Sequence, residues 1–283
     1  MLYPESLGNQ PPCFGYDFTP GSMKTYRFVH CRRCRHVYAS PRPLDLWSGY
    51  VDVEDPPYLE RQQARLLTAG RVLNRLRRYA PEGRLLDVGC ATGDFLTVAR
   101  TLYDVEGLEL STWAADCAER RGLTIHRCRL DALRTAAPYQ LITLWGVIEH
   151  FEDPDREVRR MRELLEEGGL VCLWTGDVRS WPARILGRHW WYVIGQHIQL
   201  FSRQSLRKLF LDRGFEEVWI GCYPYVTTCG SIAKSLDRYR SVLLKRLLRT
   251  PLAAQRSIAL SIPGEMFAIF RKVTGEKVSH GTQ

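Results

Sequence analysis

The chain has few of the features that mark membrane, fibrous or repetitive proteins. It has 283 residues, of which 45% are hydrophobic, yet its longest uninterrupted apolar runs, such as LITLW, are far too short to span a bilayer. The N-terminal stretch MLYPESLGNQPP has no basic region followed by an apolar run, so we expect no secretory signal. No internal repeat or low-complexity tract occurs. These features predict a globular chain with a hydrophobic core and one or two domains.

The cysteines and the net charge indicate the cellular compartment and the possible binding partners of the protein. Nine cysteines are scattered along the chain, several of them inside predicted strands and helices. This distribution indicates reduced thiols in the cytoplasm rather than a disulfide framework. The net charge is +9, and arginine greatly outnumbers lysine. Such a surface could attract anions, membranes or nucleic acid, but an arginine-rich genome would give the same bias.

The pattern along the chain predicts three regions. Residues 1–57 are rich in proline, glycine and aromatic residues, and a cluster of prolines ends them. Residues 58–225 alternate between helical and strand patterns, and residues 226–283 hold a basic helical stretch and a last strand. Strands are predicted at 84–89, 104–109, 124–128, 140–145, 168–174, 215–223 and 265–272. Helices are predicted at 58–79, 93–102, 111–121, 154–165, 202–213 and 231–260.

Helix boundaries follow from local signals. Ser111 and the pair Asp153–Pro154 are typical of helix starts, and Gly168–Gly169 is typical of a stop. Alternation of strands and helices predicts parallel strands with right-handed crossovers. The predicted fold class is therefore α/β, with a doubly wound sheet.

A glycine-containing turn marks the candidate ligand site of this sheet. The stretch LLDVGCATGDFL passes from a buried strand through Gly89, Ala91 and Gly93 into a helix. In an open parallel sheet, ligands bind beyond the carboxyl ends of the strands, where small residues let the backbone approach closely. The dinucleotide pattern G-x-G-x-x-G is absent because Ala91 holds its middle position. Asp87, two residues before the turn, would repel a pyrophosphate but suits an amine or a sulfonium.

Two further acids follow at suitable places. Glu109 ends the second strand, about twenty residues beyond the turn, where a carboxylate can accept both ribose hydroxyls. Asp131 follows the third strand, where a carboxylate could meet an adenine amino group. A sulfonium, a ribose and an adenine together describe S-adenosylmethionine.

At these residues the chain resembles the class I S-adenosylmethionine-dependent methyltransferases. LLDVGCATGDFL is similar to their first motif, GLEL to the second, LITLWGVIEHFEDP to the fourth-strand motif, and LLEEGGLVCLWT to the element that follows. The resemblance covers roughly residues 58–225 and the last strand. It implies a Rossmann-like seven-stranded sheet, S-adenosylmethionine as cofactor, and a cofactor site made of Asp87, Gly89, Cys90, Ala91, Gly93, Phe95, Glu109, Leu110, Asp131 and Trp145.

Simpler interpretations of these residues stay open. Asp87 and Glu109 could be surface acids that cap helices, although that would not explain two acids at strand ends around a glycine turn. Trp145 could be a core residue. Asp131 could be an ordinary loop acid.

Histidine is the usual base for methyl transfer near neutral pH. His197 lies in HWWYVIGQHIQLFS, which resembles a stretch of one methyltransferase subgroup in which this histidine serves as base in sugar C-methyltransferases. The resemblance makes His197, His150 and Tyr192 the candidate catalytic residues. Gln196 stands where that subgroup has glutamate, which puts carbon-acid chemistry in doubt. His197 could instead only pack beside the following helix.

Two neighbouring features could also help to bind the methyl acceptor. The pair Glu149–His150 resembles a pair in quinone and small-molecule O-methyltransferases, sometimes near a divalent metal, but it could merely open a helix and shape the pocket. The aromatic cluster of Trp181 and Trp190–Tyr192 could form a lid over a planar acceptor, or only a core. His189, within that cluster, is most simply a packing residue.

The cysteines of the first region suggest a degenerate zinc ribbon. CRRC has the spacing of half a tetrahedral zinc site, and the resembling subgroup often begins with two such pairs. Here Cys13 is present, but Tyr16 takes the place of its partner. A zinc at Cys31 and Cys34 would need a fourth ligand such as His30, so we expect no metal.

The predicted function is methyl transfer from S-adenosylmethionine to a small organic acceptor in the cytoplasm, with a hydroxyl oxygen favoured over a carbon of a sugar or polyketide-like acceptor. A cofactor-binding protein without methylation and a nucleic-acid-binding protein are the alternatives, although the arginines form no basic stripe and nucleic acid is not expected. The basic stretch 231–260 is predicted to cover the sheet, and peripheral contact with an anionic membrane stays open. The sequence does not fix the oligomeric state.

Overall fold

A computed structural model describes residues 2–8, 12–16, 24–228, 257–261 and 263–273 of the chain. Its strands are β1 (Phe28–His30), β2 (Val37–Ala39), β3 (Arg84–Val88), β4 (Asp104–Leu108), β5 (Thr124–His126), β6 (Tyr139–Trp145), β7 (Leu165–Gly176), β8 (Gln199–Leu200), β9 (Phe215–Gly221), β10 (Pro224–Thr228), β11 (Ser257–Ser261) and β12 (Glu265–Lys272). Its helices are α1 (Ser48–Val51), α2 (Pro56–Leu59), α3 (Gln62–Leu76), α4 (Asp94–Ala99), α5 (Thr112–Glu119), α6 (Pro154–Leu164), α7 (Trp181–Leu186) and α8 (Arg203–Leu211). None of the helices in these ranges is long and apolar enough to cross a bilayer.

A seven-stranded sheet forms the centre of the molecule. Its strand order is β5-β4-β3-β6-β7-β12-β9. The pairs from β5 to β7 are parallel, whereas β12 runs antiparallel to both β7 and β9. The prediction of an α/β fold with a Rossmann-like seven-stranded sheet is confirmed. Because the parallel strands end at one edge, the loops after β3, β4 and β6 meet there.

Alternating side chains of the strands build a core on each face of the sheet. Leu85 belongs to one buried cluster and Leu86, its neighbour in β3, to the other. Helix α3 covers the first face through an apolar stripe that includes Val72 and Leu76, while Val158 of α6 packs on the second. Strands buried on both sides explain the continuous apolar runs of the sequence.

A smaller sheet joins the N-terminal region to the rest of the chain. Its order is β1-β2-β8, in which Val37 pairs with Leu200. A third buried cluster surrounds it and includes Phe28, Trp190 and Ile198. The predicted boundary near residue 57 stays a prediction, and residues on both sides of it share this sheet and core.

Several expectations about single elements need correction. Gly168 and Gly169 do not stop a helix before a strand, because both lie within β7, which already begins at Leu165. The predicted helix 58–79 is divided into the single turn α2 and the longer α3. In the predicted helix 231–260, residues 257–260 belong to β11, which pairs with β10, and the rest lies outside the described residues. Ser111 and Asp153 do cap α5 and α6, as predicted.

The contact between β12 and α8 gives a direct test of the core. Phe270 is fully buried and stacks on Phe210 with ring centroids 4.1 Å apart. Phe270→Ala leaves a cavity, so we expect it to lower the free energy of unfolding by about 3–5 kcal/mol. Leu211→Ala, at an α8 residue that is 46% exposed, should change it by less than about 0.5 kcal/mol. Denaturant titration of both variants measures this, and equal effects would contradict the predicted core.

Candidate active site

The turn between β3 and α4 has a backbone that only small residues allow. Gly89 and Gly93 have φ of 67° and 77°. A Cβ on Gly89 would lie 2.7 Å from Val147 Cγ2, and one on Gly93 would lie 2.4 Å from Leu123 Cδ1. Ala91 shares the positive φ, at 48°, which costs a non-glycine residue about 1 kcal/mol. The turn therefore brings its backbone close to the sheet edge, as the sequence predicted.

Glu109, at the end of β4, is held by the backbone around it. One carboxylate oxygen accepts the N–H of Ala91 at 2.8 Å, and the other accepts the N–H of Ser111 at 2.8 Å. The Tyr16 hydroxyl donates to the second oxygen, also at 2.8 Å. Burial raises the pKa of Glu109, while these donors and the Leu110 backbone favour its ionised form.

Asp87 lies within β3 and is almost fully buried. One carboxylate oxygen accepts the Thr143 hydroxyl at 2.6 Å, and the other has no partner among the described residues. Burial raises the pKa of Asp87 to about 8. Two other buried atoms of the same region, Thr92 Oγ1 and Trp145 Nε1, also lack a partner there. Unsatisfied buried polar atoms are rare in native proteins and often mark a ligand site.

These features fit S-adenosylmethionine. The unpaired oxygen of Asp87 suits its amino group, Glu109 suits its ribose, and the glycine turn leaves room for a ligand against the backbone. The other predicted residues surround the turn. Cys90 is buried, Phe95 packs on Trp145 with centroids 4.7 Å apart, and Leu110 is half-buried beside Glu109.

Asp131 is the predicted cofactor residue whose carboxylate is engaged elsewhere. It pairs with Arg156 of α6 at 2.9 Å and with Arg129 at 3.5 Å. An adenine amino group would have to share the carboxylate with these arginines. The adenine role of Asp131 stays a prediction.

The predicted catalytic residues meet in one buried cluster beyond β6. The rings of His150 and His197 lie 4.8 Å apart, and the Tyr192 ring lies 4.5 Å from that of His197. The carboxylate of Glu149 lies 4.0 Å from His197 Nε2. It accepts hydrogen bonds from the Tyr192 hydroxyl and, at 3.0 Å, from the Thr175 hydroxyl. The sequence indicated no carboxylate for His197, because residue 196 is glutamine, but Glu149 places one near it.

A backbone carbonyl fixes the tautomer of His197, and His150 contacts backbone carbonyls as well. His197 Nδ1 lies 2.8 Å from the carbonyl oxygen of Tyr192, and His150 Nδ1 lies 2.9 Å from that of Gln196. A carbonyl can only accept a hydrogen bond, so Nδ1 of His197 carries the proton and its Nε2 keeps the lone pair. His150 also has the Gly146 carbonyl and the Tyr50 hydroxyl as partners, so either of its ring nitrogens can carry the proton. Burial, with a contribution from His150, holds the pKa of His197 well below its usual value, and burial lowers that of His150 to about 4. Both imidazoles are neutral near pH 7.

The same cluster has the composition of a metal site. Glu149, His150 and His197 offer ligand atoms within 4.8 Å of one another, and they form the one such group of three among the described ranges. Burial raises the pKa of Glu149 to about 7. Whether the site works without a metal, as expected from the sequence, stays a prediction.

The contacts of three residues in this region were not expected from the sequence. The Tyr50 hydroxyl lies 2.8 Å from His150 Nδ1. The side-chain amide of Gln196 both accepts from the Gly15 N–H at 3.3 Å and donates to the Gly15 carbonyl at 3.1 Å. An amide can do both, and a carboxylate cannot, which explains why glutamine suits position 196. Tyr16 and Tyr50 lack any local motif that would have identified them.

Two further predictions concern residues outside this cluster, namely His189 and the cysteines of the N-terminal region. His189 is exposed at the end of a short 3₁₀ turn and does not pack in a core, so that interpretation is wrong. Cys31 and Cys34 occupy the tight turn between β1 and β2, where backbone N–H groups lower the pKa of the Cys31 thiol. The expectation that this segment holds no zinc stays a prediction.

The glycine turn can be tested by substitution. Gly89→Val places a branched side chain at a positive φ and against Val147, so we expect affinity for S-adenosylhomocysteine to fall at least roughly tenfold. Gly70→Ala, in α3 where a Cβ meets nothing within 4 Å, is the matched control and should bind normally. Calorimetry measures both, and thermal unfolding verifies that each variant is folded. A folded Gly89→Val protein with normal affinity would contradict the placement of the ligand.

The pKa of Asp87, raised to about 8, predicts a pH dependence of binding. Below that pH the carboxyl is neutral in the free protein and has to ionise before it can pair with an ammonium group. Affinity for S-adenosylhomocysteine should therefore fall from about pH 8 to about pH 6, by up to about tenfold per pH unit. Asp87→Asn should bind more weakly and lose this dependence. Calorimetry at several pH values would refute the idea if the unchanged protein showed a flat profile.

Comparisons with known proteins agree with this geometry. A family model described as a methyltransferase domain matches residues 58–219, which is more than half of the chain. The ubiquinone biosynthesis O-methyltransferase of Cereibacter sphaeroides is 33% identical over 127 residues, which are 40% of this chain and 51% of that protein. The chain spans about half the length of the curated relatives it matches.

Solved structures show the same fold. A SAM-dependent methyltransferase from Thermotoga maritima has a TM-score of 0.52 at 19% identity, over 76% of this chain and 92% of the other. The plantazolicin methyltransferase, solved with S-adenosylhomocysteine, has a TM-score of 0.51 at 16% identity, over 76% of this chain and 86% of its own. With the family match and the geometry at the sheet edge, these likenesses show that the chain belongs to the class I S-adenosylmethionine-dependent methyltransferase family.

Proposed function

We propose that this protein transfers the methyl group of S-adenosylmethionine to a hydroxyl oxygen of a small organic acceptor, with His197 as the general base. The observation that carries the proposal is the orientation of His197. Its Nδ1–H is held by the Tyr192 carbonyl at 2.8 Å, so the lone pair of Nε2 points into the cluster, 4.0 Å from the Glu149 carboxylate.

The cofactor, when bound, supplies an electrophilic methyl carbon. The chain contributes binding, orientation and a place for one proton. As the acceptor oxygen forms its new bond, its proton moves to His197 Nε2, and the imidazolium that results is stabilised by Glu149. The Tyr192 and Thr175 hydroxyls hold that carboxylate in place. Burial raises the pKa of Tyr192, so its phenol stays protonated and acts as a donor rather than as a base.

The properties of the base indicate the kind of acceptor. A histidine whose pKa is lowered by burial is neutral at working pH but is a weak base. It suits an acidic hydroxyl, such as a phenol or an enol, better than an aliphatic alcohol. Aromatic side chains lie near the candidate base, such as Trp174 with its ring centroid 6.5 Å from that of Tyr192, and aromatic surroundings suit a planar acceptor. The name of the Cereibacter relative, a ubiquinone biosynthesis O-methyltransferase, supports oxygen as the target.

Methylation of a carbon is the second candidate, and Glu149 favours it. The sequence counted against carbon-acid chemistry because Gln196 replaces a glutamate. Glu149 supplies a carboxylate 4.0 Å from His197 Nε2, and when ionised it would stabilise the imidazolium that forms when the histidine takes up a proton. Product analysis by NMR distinguishes a new O-methyl group from a new C-methyl group.

The test starts with labelled S-adenosylmethionine and a panel of phenols, enols and sugar nucleotides, with products identified by mass. On the acceptor found, His197→Ala should lower kcat by roughly 10²–10⁴ while affinity for S-adenosylhomocysteine stays nearly unchanged. His189→Ala, at the exposed histidine, is the matched control and should be normal. Assays with and without a chelator reveal whether a metal at Glu149, His150 and His197 takes part.

Two results would contradict the proposal. If folded His197→Ala protein turned over at a near-normal rate, His197 would not be the general base, and His150 would become the candidate. Binding of S-adenosylhomocysteine without any methylated product, over a broad panel, would support the alternative of a cofactor-binding protein that does not methylate.

A further inference from the structure

Residues 12–16 cross the candidate active site and touch both of its halves. We call this segment the strap. At one end the Tyr16 hydroxyl donates to Glu109 at 2.8 Å, and the Tyr16 N–H donates to Asp55 at 3.1 Å. One residue earlier, Gly15 forms its two hydrogen bonds with the side chain of Gln196. The strap therefore links the ribose position to the loop that carries His197.

The strap is seated by close packing as well as by hydrogen bonds. The Phe14 ring lies edge-on to Tyr50, with centroids 4.9 Å apart, and it fills the space that a Cβ on Gly49 would need, only 2.3 Å from the ring. Pro12 is similarly close to Gly195, where a Cβ would lie 2.8 Å from it. The ring of Tyr16 packs against that of Tyr58 at 5.2 Å.

Glu109 has no room for both Tyr16 and a ribose. A carboxylate has about four acceptor positions. The N–H groups of Ala91 and Ser111 and the Tyr16 hydroxyl take three of them, and the backbone of Leu110 adds a further contact. A ribose brings two hydroxyl donors, so at least one present donor has to leave before both can bind.

Tyr16 is the donor that can leave at the lowest cost. The N–H groups of Ala91 and Ser111 are buried at the turn and at the start of α5, where they would lose their partner without gaining water. Tyr16 is a half-buried side chain on the strap, so it can leave Glu109 together with that segment, whereas the two N–H groups belong to the turn and to the start of α5.

We propose that Tyr16 and the cofactor ribose compete for Glu109, that the cofactor and the docked strap therefore exclude each other there, and that release of the strap frees Gln196 beside the candidate catalytic histidines. Cofactor binding then loosens Gly15 from Gln196, whose side-chain oxygen also faces the Tyr50 hydroxyl at 3.4 Å. Tyr50 in turn contacts His150. The inference rests on the cofactor site and is independent of the identity of the acceptor.

The first test measures affinity for S-adenosylhomocysteine by calorimetry. Tyr16→Phe keeps the ring contacts and removes only the competing hydroxyl, so affinity should rise about threefold to tenfold, the net worth of one hydrogen bond. Tyr26→Phe, at a half-buried tyrosine packed against the third core cluster, is the control and should not change affinity. Unchanged or weaker binding by Tyr16→Phe would overturn the proposal.

The second test addresses the link to Gln196. Gln196→Met keeps the volume of the side chain and removes both hydrogen bonds to Gly15, so it should also increase affinity. Tighter binding by Tyr16→Phe without any gain in Gln196→Met would overturn the coupling.

Hydrogen exchange reports the movement directly. With the strap docked, the amides of Gly15 and Tyr16 are bonded to Gln196 and Asp55. Addition of S-adenosylhomocysteine should accelerate exchange in a peptide that covers 12–16 and slow it in one that covers 89–93. Slower exchange in both would show that the strap closes over the ligand, which overturns the competition. If the unchanged protein did not bind S-adenosylhomocysteine at all, the assignment of the cofactor site would be wrong, and the competition would not be the cause.

Discussion

A carboxylate that is cut off from water has to receive hydrogen bonds from the protein around it, and the position of Glu109 imposes this condition on four parts of the chain. The end of β4 carries the acid, the glycine turn offers the Ala91 N–H, the start of α5 offers the Ser111 N–H, and the N-terminal region offers Tyr16. Each donor fixes the local backbone that carries it. The positive φ of Ala91 is tolerated because it belongs to this arrangement.

The same edge of the sheet holds two more buried acids, and burial disfavours the ionised form of each of them. Asp87 lies in β3 and Glu149 follows β6. Burial raises the pKa of Asp87 to about 8 and that of Glu149 to about 7, and the neighbouring Glu109 adds to the first shift. A bound ammonium group would favour the ionised form of Asp87, and we therefore expect this edge to prefer a ligand that carries a positive charge.

The sequence was sufficient where the information is local. The glycine turn, the acid at the end of β4 and the caps Ser111 and Asp153 each lie within a few residues of the element they define, and the structure has them where they were predicted. The sequence misled where a residue has a partner far along the chain. Gly168 was interpreted as a stop because glycine usually ends a helix, whereas here β7 continues through it with a positive φ.

The role of Gln196 could not be predicted from the sequence, because its partner lies far away along the chain. A glutamine next to a histidine is locally a weakened version of a glutamate–histidine pair. In the fold, residue 196 binds Gly15, 181 positions earlier in the sequence, and the carboxylate for His197 comes from Glu149. No spacing rule connects these residues, because their proximity depends on how the N-terminal region is laid over the sheet edge.

The placement of the N-terminal region changes how its degenerate cysteines are understood. A zinc ribbon kept only as a separate module would need its metal to fold. Here β2 pairs with β8, Phe28 is buried in the same cluster as Ile198, and Tyr50 reaches His150. These contacts give residues 28–50 a hydrophobic core and hydrogen-bond partners from the rest of the chain. Tyr16, at the position where the resembling ribbon pattern has a cysteine, donates a hydrogen bond to Glu109, so this residue also joins the N-terminal region to the edge of the sheet.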